Sequence, residues 1–264
     1  MKSFVSVLIV LWCLPSFLGA QNLKIEALHP QFNFAGSEPS TLTSAWFVTL
    51  AVPVYKRINL VGQLPFAFGK LEGGSGSTSD ETIGNPAFGL RFDHKRLTID
   101  AGLRVPLVKS GLAGFIGALA DIDRQEAFLP DIVPLYGMVR SQIDIGKFNL
   151  IPYGGATLMV ITDHQEEFFD YVEQIFDINL NDGELYLLYG GEAWWNLKPV
   201  YLGAAYHGRG WVSSGGAFNK STINQLSFGA KVVFENVSPG LLFRFPLDDI
   251  LLDNLIGINC EFNF

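Results

Sequence analysis

Apolar and polar side chains alternate with a period of two over most of this chain after residue 40. The clearest runs cover residues 58–68, 97–105, 133–143, 225–235 and 256–264. Successive side chains of a β-strand point to opposite faces, so each run predicts a strand with one apolar face and one polar face. Runs of about ten residues suit strands that cross a membrane at a tilt.

The connections between these runs are alternately short and long. Short polar turns fall at 55–57, 93–95, 146–147, 196–199 and 236–239, and longer connections at 70–83, 107–131, 162–183, 210–220 and 248–253. Outer-membrane barrels have short turns at one end and long loops at the other, and both termini normally lie at the short-turn end. The runs predict eleven strands, and residues 23–35 supply the strand that makes the number even. We therefore predict an all-β fold, a transmembrane antiparallel up-and-down β-barrel of about twelve strands.

The N-terminus has the features of a secretory signal peptide. Lys2 precedes an apolar stretch at 4–14, and Gly19 and Ala20 are small residues suited to cleavage. We predict a signal peptide at 1–20, a barrel at 21–264, and export to the outer membrane of a Gram-negative bacterium. The longest later apolar stretch, 111–120, is shorter than the roughly 18 residues that a membrane-spanning helix needs.

The composition narrows the partners. The chain is 48% hydrophobic and has a formal net charge of −8. Nucleic acid is not an expected partner, because phosphate binding requires a basic face. Outer-membrane lipid and lipopolysaccharide are the expected surroundings, and a small-molecule solute is a further candidate partner.

Aromatic residues cluster beside the short turns, where a girdle at the membrane–water boundary is expected. The cluster comprises Tyr55, Phe92, Phe148, Trp195, Tyr201, Phe234 and Phe264. Ordinary strand composition is the alternative explanation, since aromatic residues favour strands.

Two stretches resemble known outer-membrane proteins. The end of the chain, 261–264, alternates and closes on Phe264, and it resembles the signal that such barrels present to their assembly machinery. Residues 55–66 and 83–92 resemble small barrels of the MetA-pathway-of-phenol-degradation family, which are distantly FadL-like; Asn85 stands where that family usually has Asp. The resemblance implies an outer-membrane barrel that passes hydrophobic or aromatic small molecules, with the assembly machinery as a partner.

Strand parity places a mixed set of ionisable residues on the lumen side. The set comprises Arg91, Arg96, Asp100, Arg104, Arg140, Asp144, Glu192, His207, Arg209, Lys231, Glu235, Arg244 and Glu261. Charges inside a narrow barrel must be paired or hydrated, because desolvation costs several kcal/mol per ion. Two interpretations remain: an ionic and hydrogen-bonded network that braces the wall, or a selectivity ladder in a narrow pore.

The connection 162–183 is strongly acidic and has apolar residues at helical spacing, which predicts a short amphipathic helix at the external side or in the mouth. A calcium loop is not indicated, because Gly183 is the seventh residue counted from Asp177, whereas an EF-hand has glycine sixth. No metal, cofactor or cofactor-binding residue is expected.

The sequence also lacks a recognisable hydrolase pattern. Outer-membrane phospholipases pair histidine with a nearby serine, but none of the four histidines has serine two positions on. We therefore predict that the chain is not an enzyme and has no catalytic residues. A passive channel for small solutes is the leading hypothesis. The alternatives are a non-transporting structural or adhesive barrel that acts through its loops, and a soluble exported lipocalin-like binding protein.

Overall fold

A computed structural model describes residues 22–32, 37–39, 43–73, 76–162, 183–213, 222–248 and 252–264. The predicted signal peptide lies outside the described residues, and so does nearly all of the acidic connection 162–183. No helix among the described residues combines the length and the apolar character needed to cross a membrane.

The described chain is mostly β-strand. The strands are β1 (Asn22–Phe32), β2 (Ser37–Pro39), β3 (Ser44–Tyr55), β4 (Ile58–Gly73), β5 (Gly76–Ile83), β6 (Ala87–His94), β7 (Leu97–Arg104), β8 (Ile132–Ser141), β9 (Ile143–Ile145), β10 (Phe148–Ile161), β11 (Gly183–Leu197), β12 (Val200–Trp211), β13 (Thr222–Val232), β14 (Val237–Pro246) and β15 (Leu252–Asn263). An α-helix, α1 (Leu112–Ala120), and a 3-10 helix (Ile122–Ala127) lie between β7 and β8.

Twelve of these strands form a closed antiparallel barrel, which confirms the predicted fold and strand number. Each barrel strand pairs with the next one along the chain, and β15 returns to pair with β1 from Asn22 opposite Asn263 to Phe32 opposite Leu252. Closure leaves no unpaired sheet edge. The remaining short strands β2, β5 and β9 extend individual hairpins.

The two faces of the wall differ as the alternation predicts. The apolar side chains of Leu103, Phe228 and Ile258 are 39%, 50% and 53% exposed on the outside. Their charged neighbour Arg104 is 4% exposed and faces the lumen. A soluble lipocalin-like barrel requires the opposite arrangement, so that alternative is wrong.

Most of the aromatic residues beside the short turns lie on the outer surface. Those that are exposed are Tyr55, Phe92, Phe148, Trp195, Phe234 and Phe264. Tyr201 differs, because it lies on the lumen face of β12, where the Lys231 ammonium sits 5.6 Å from its ring centroid. Cation–π contact and strand parity account for this inward position.

The wall is uneven in height. Strands β6 and β7 have 8 residues each, whereas β10 and β11 have 14 and 15. The connection 70–83, predicted as one of the longer connections, largely continues β4 into a hairpin with β5. Its Gly/Ser composition therefore marks the hairpin tip, of which 74–75 lie outside the described residues.

Residues 105–131, which we call the inner segment, leave the top of the low wall and fold into the barrel. Helix α1 packs against β1, β3, β4, β5 and β15, and the 3-10 helix packs against β12. These strands belong to different sides of the barrel, so the segment crosses the lumen. The sequence predicted only a long connection here.

Candidate functional site: the barrel lumen

One side of the lumen is apolar and holds α1. Leu28, Phe47, Ala67 and Leu255 form a buried cluster with alanines of the inner segment and with Phe128. Phe47 and Phe128 pack edge to face with ring centroids 5.7 Å apart. The polar lumen that the alternation predicted is therefore only part of the interior, because the lumen faces of β1, β3 and β15 carry apolar residues at helix level.

Glycines let the inner segment approach its neighbours closely. A Cβ atom added at Gly117 of α1 would lie 2.5 Å from the Phe128 ring. One added at Gly69 of β4 would lie 2.8 Å from Ile116 and 3.4 Å from the Cα of Ala113. Separations under about 3 Å are too short for packed carbon atoms, so these glycines fix the depth of the helix.

Asn85 clamps both ends of the inner segment to the rim. Its side chain is fully buried, and its Oδ1 accepts hydrogen bonds from the backbone amides of Leu107 (2.8 Å) and Val108 (3.0 Å). Its Nδ2 donates to the carbonyl oxygens of Glu126 (3.0 Å) and Leu129 (2.7 Å). All four bonding positions of the amide are used. An aspartate could not donate, which explains why asparagine stands at this position.

Glu126 links opposite parts of the wall. Its Oε2 accepts a hydrogen bond from Arg209 Nη1 of β12 at 2.8 Å, and its Oε1 lies 3.7 Å from Arg104 Nε of β7. Arg209 also donates to the carbonyl oxygen of Ile122 at 3.1 Å. Strands β7 and β12 are separated in the barrel by β8, β10 and β11, so one carboxylate bridges the lumen.

Asp121 is the second carboxylate of the inner segment that pairs with the wall. It lies 2.9 Å from Arg244 Nη1 of β14 and 2.5 Å from Arg124 Nη2, and Arg124 continues to Glu26 of β1 at 2.8 Å. Burial alone would raise the pKa of Asp121, but the two guanidinium groups outweigh it and hold that pKa well below its usual value. The carboxylate therefore stays ionised through the mildly acidic range.

His207 of β12 contacts the same segment. Its Nδ1 lies 2.9 Å from Asp123 Oδ2 and 2.5 Å from the Tyr153 hydroxyl of β10. Three strands, β12, β14 and β7, thus present cationic or polar groups to three acids of the inner segment: Asp121, Asp123 and Glu126.

Toward the short turns, a second ion-pair group is partly open to solvent. Asp100 lies 2.7 Å from Arg91 Nε and 3.8 Å from Arg140 Nη1, across the neighbouring strands β6, β7 and β8. The side chains of Arg91 and Arg140 are 31% and 42% exposed. We call this group the vestibule.

The remaining predicted lumen residues do not join either group. Lys231 lies over the Trp194 ring, and Glu192 accepts a hydrogen bond from Trp194. Glu261 accepts a hydrogen bond from Asn22, and Asp144 accepts one from Asn149.

Arg96 and Glu235, expected on the lumen wall, lie exposed in short turns instead. Both are at strand ends, where parity no longer fixes the direction of a side chain.

Several residues of the site were not predicted from the sequence to have a role in the lumen. They are Glu26, Asn85, Asp121, Asp123, Arg124 and Glu126. The signal was present in part: the apolar stretch 111–120 is followed directly by five polar residues among the six at 121–126. An apolar helix joined to a charged turn inside one long connection suits a buried position with polar contacts.

Comparison with known proteins supports the fold. No protein-family model matches the chain, and no curated protein sequence does either. Among solved structures, an outer membrane channel from Pseudomonas putida F1 has a TM-score of 0.58 at 12% identity, over 94% of this chain and 96% of that one. The translocator domain of the autotransporter NalP from Neisseria meningitidis also has a TM-score of 0.58 at 12% identity, over 100% and 98%. The NanC porin has 0.52 at 7%, over 92% and 100%. The chain thus has the fold of outer-membrane β-barrels, a class that includes channels, porins and translocators.

The expectation that the chain is not an enzyme is contradicted. LpxR from Salmonella typhimurium, an outer-membrane barrel enzyme, is similar in fold, with a TM-score of 0.51 at 11% identity over 92% of this chain and 100% of that one. Catalytic barrels therefore share this fold and size, and a missing histidine–serine pattern does not exclude catalysis. At this identity the similarity assigns no activity.

Proposed function

We propose that the chain is an outer-membrane channel for small solutes, narrowed by its inner segment. The observation that supports this best is the contrast between an apolar outer wall and a lumen whose vestibule is charged and open to solvent. An apolar exterior suits lipid, and a hydrated charged interior suits passage of solutes. The inner segment is a connection at the long-loop end, whereas Arg91 and Arg140 of the vestibule lie nearer the short turns and are partly exposed.

The chain reaches the outer membrane by export and assembly. Residues 1–20 serve as the export signal, and the strand that ends at Phe264 engages the barrel assembly machinery. The long loops then face lipopolysaccharide. Fractionation of cells, combined with heat-modifiable mobility of the purified protein on a gel, tests the membrane location. A soluble periplasmic protein whose mobility does not change on heating contradicts it.

Conductance in a planar bilayer tests the channel. A Gly69→Cys/Ala113→Cys pair joins β4 to α1, since the added Cβ at 69 lies 3.4 Å from the Cα of Ala113. The same protein carries Ile116→Ala, which removes the Ile116 Cδ1 atom that would lie 2.8 Å from that Cβ. Cys260→Ser removes the cysteine of β15. We expect ionic current from the reduced protein and less current after oxidation. The matched control carries Cys260→Ser and Ile116→Ala without the cysteine pair, and oxidation should leave its current unchanged.

The non-transporting barrel remains the second candidate, and the ion pairs that hold the inner segment to the wall favour it. Breaking such pairs costs about 3–5 kcal/mol when one partner is removed, so a segment held by them moves rarely. No current from either the wild type or the reduced double-cysteine protein would support this candidate. Liposome swelling with phenol and with aliphatic solutes tests the finer expectation, from the resemblance, of hydrophobic or aromatic cargo.

A further inference from the structure

The charges around the inner segment are divided unequally between wall and segment. The wall supplies three buried arginines, Arg104, Arg209 and Arg244, which are 4%, 2% and 8% exposed. Two of the acids that face them, Asp121 and Glu126, belong to the inner segment. Glu26 is a wall acid, but it pairs with Arg124 of the segment and with Lys24. Without the segment, the wall would be cationic at this level.

The same wall carries donors that the inner segment does not satisfy. Arg209 Nε and Nη2, Arg244 Nε, Gln225 Nε2 and Ser227 Oγ are buried and have no hydrogen-bond partner among the described residues. Ser227 lies directly opposite Arg244 in the β13–β14 register, and Gln225 lies opposite His207 in the β12–β13 register. The donors therefore form one surface on β12, β13 and β14. Buried donors in proteins are normally paired, so this surface has capacity for an additional acceptor.

The wall at this level has two chemically different halves. Leu28, Phe47 and Leu255 form the apolar half that holds α1, and the arginines form the cationic half that holds the 3-10 helix. The inner segment matches both halves with an apolar helix followed by carboxylates. We propose that this wall is a binding site for an amphiphilic organic anion, a carboxylate on an apolar body, whose place the inner segment occupies with its own side chains.

This inference rests on the proposed channel function and names its class of solute. The anion enters from the vestibule, where Arg91 and Arg140 are partly exposed. Its carboxylate replaces that of Glu126 on Arg209 and accepts hydrogen bonds from the donors of β12 to β14 that the inner segment leaves without a partner. Its apolar part displaces α1 from Phe47 and its neighbours. Burial of apolar surface compensates for the contacts that α1 loses.

Calorimetric titration of the purified protein in detergent tests the site without requiring conductance. The probes are 4-phenylbutyrate and its neutral amide. We expect the wild type to prefer the carboxylate. Glu126→Gln removes the competing carboxylate from Arg209, so it should bind phenylbutyrate about tenfold more tightly, as expected for one charge-assisted hydrogen bond, and leave binding of the amide unchanged. Arg209→Gln should weaken binding of phenylbutyrate.

Glu192→Gln is the matched control, because it makes the same change of charge in the lumen at a residue that bonds to Trp194 and to none of the three arginines. Equal binding of carboxylate and amide, or an equal gain in the Glu126→Gln and Glu192→Gln proteins, would overturn the proposal. If Glu126→Gln does not fold, the Gly69→Cys/Ala113→Cys protein replaces it. Oxidation should then weaken binding of phenylbutyrate reversibly, and unchanged affinity after oxidation contradicts the site.

The outcome separates this proposal from the channel. Binding of phenylbutyrate as expected, with no current from any variant, supports the anion site and defeats the channel. Current with no preference for the carboxylate in the titration supports the channel and defeats the anion site.

Discussion

A single buried amide determines how the inner segment joins the wall. The Nδ2 atom of Asn85 donates to two carbonyl oxygens and its Oδ1 atom accepts from two backbone amides, so the two atoms are not interchangeable. Asn85→Asp would place a carboxylate against the carbonyl oxygens of Glu126 and Leu129. We expect a loss of roughly 3 kcal/mol in the free energy of unfolding, from two lost hydrogen bonds and the repulsion between the buried carboxylate and those two carbonyl oxygens.

Chemical unfolding in detergent measures that loss. Asn236→Asp is the control, because Asn236 lies exposed in a short turn, where its backbone carbonyl accepts a hydrogen bond from Asn263. Its side chain makes no hydrogen bond to the described part of the chain. Its stability should match that of the wild type. Equal stability of the Asn85→Asp and Asn236→Asp proteins would show that the amide clamp contributes little.

A second residue-scale prediction concerns acid. The pKa of Asp121 lies below the value of about 3.9 that an unfolded aspartate has, because Arg124 and Arg244 outweigh the effect of burial. Between those two pKa values the unfolded chain binds more protons, so stability falls as the pH falls through that range. Above about pH 5 the contribution of Asp121 should be constant. Asp121→Asn should therefore lose stability at neutral pH and show a shallower decline below about pH 4.

Thermal unfolding of the detergent-solubilised protein across pH checks this. Asp144→Asn is the control, because Asp144 is exposed near a short turn and accepts hydrogen bonds from amides rather than from arginines. The slope of melting temperature against pH should be the same in this control and in the wild type. A wild-type slope in the Asp121→Asn protein would mean that other carboxylates govern acid stability.

At the scale of elements, helix α1 depends on a glycine that ordinary helix energetics would disfavour. Glycine in a helix costs about 0.5–1 kcal/mol relative to alanine, so Gly117→Ala should stabilise an unconstrained helix. Here the added Cβ would lie within 2.7 Å of three Phe128 ring atoms. We expect destabilisation by about 1–3 kcal/mol, measured by chemical unfolding, because the ring must shift in a packed site.

The direction of the change in stability distinguishes close packing of α1 on Phe128 from an unconstrained helix. Gly62→Ala in β4 is the control, because a Cβ there meets nothing within 4 Å. It should leave stability unchanged or slightly increased. A stabilised Gly117→Ala protein would show that α1 does not rest against Phe128.

These elements also show where sequence was informative. Strands such as β7 were predictable because the outer face meets one uniform environment, which imposes strict alternation on Leu97 to Leu103. The lumen face meets both solvent and a folded segment, so it carries Phe47 in one place and Arg209 in another. Parity locates a residue such as Arg104 on that face, but it does not identify its partner. Glu126 lies 22 residues further along the chain, in a connection with no strand periodicity.

For the whole molecule, the central matter is which side of the wall meets lipid. Phe228 is 50% exposed in the middle of β13, and Phe234 is 55% exposed beside the following short turn. The cost of arginine on a lipid-facing wall is about 2–4 kcal/mol at the bilayer midplane and falls to about 0–1 kcal/mol near the interface. Phe228→Arg should therefore make folding into lipid vesicles less favourable by the larger amount, and Phe234→Arg by the smaller.

Reversible folding into phosphatidylcholine vesicles, followed by tryptophan fluorescence, measures both variants, and each serves as the depth control for the other. A membrane barrel requires the large difference, because the chemical change is the same and only the depth differs. A water-exposed outer wall would make both substitutions nearly neutral or favourable, since each replaces an exposed apolar ring by a charge. Equal losses of folding stability at the two positions would thus contradict the membrane location. They would also contradict the channel and the route by which the solute reaches the anion site.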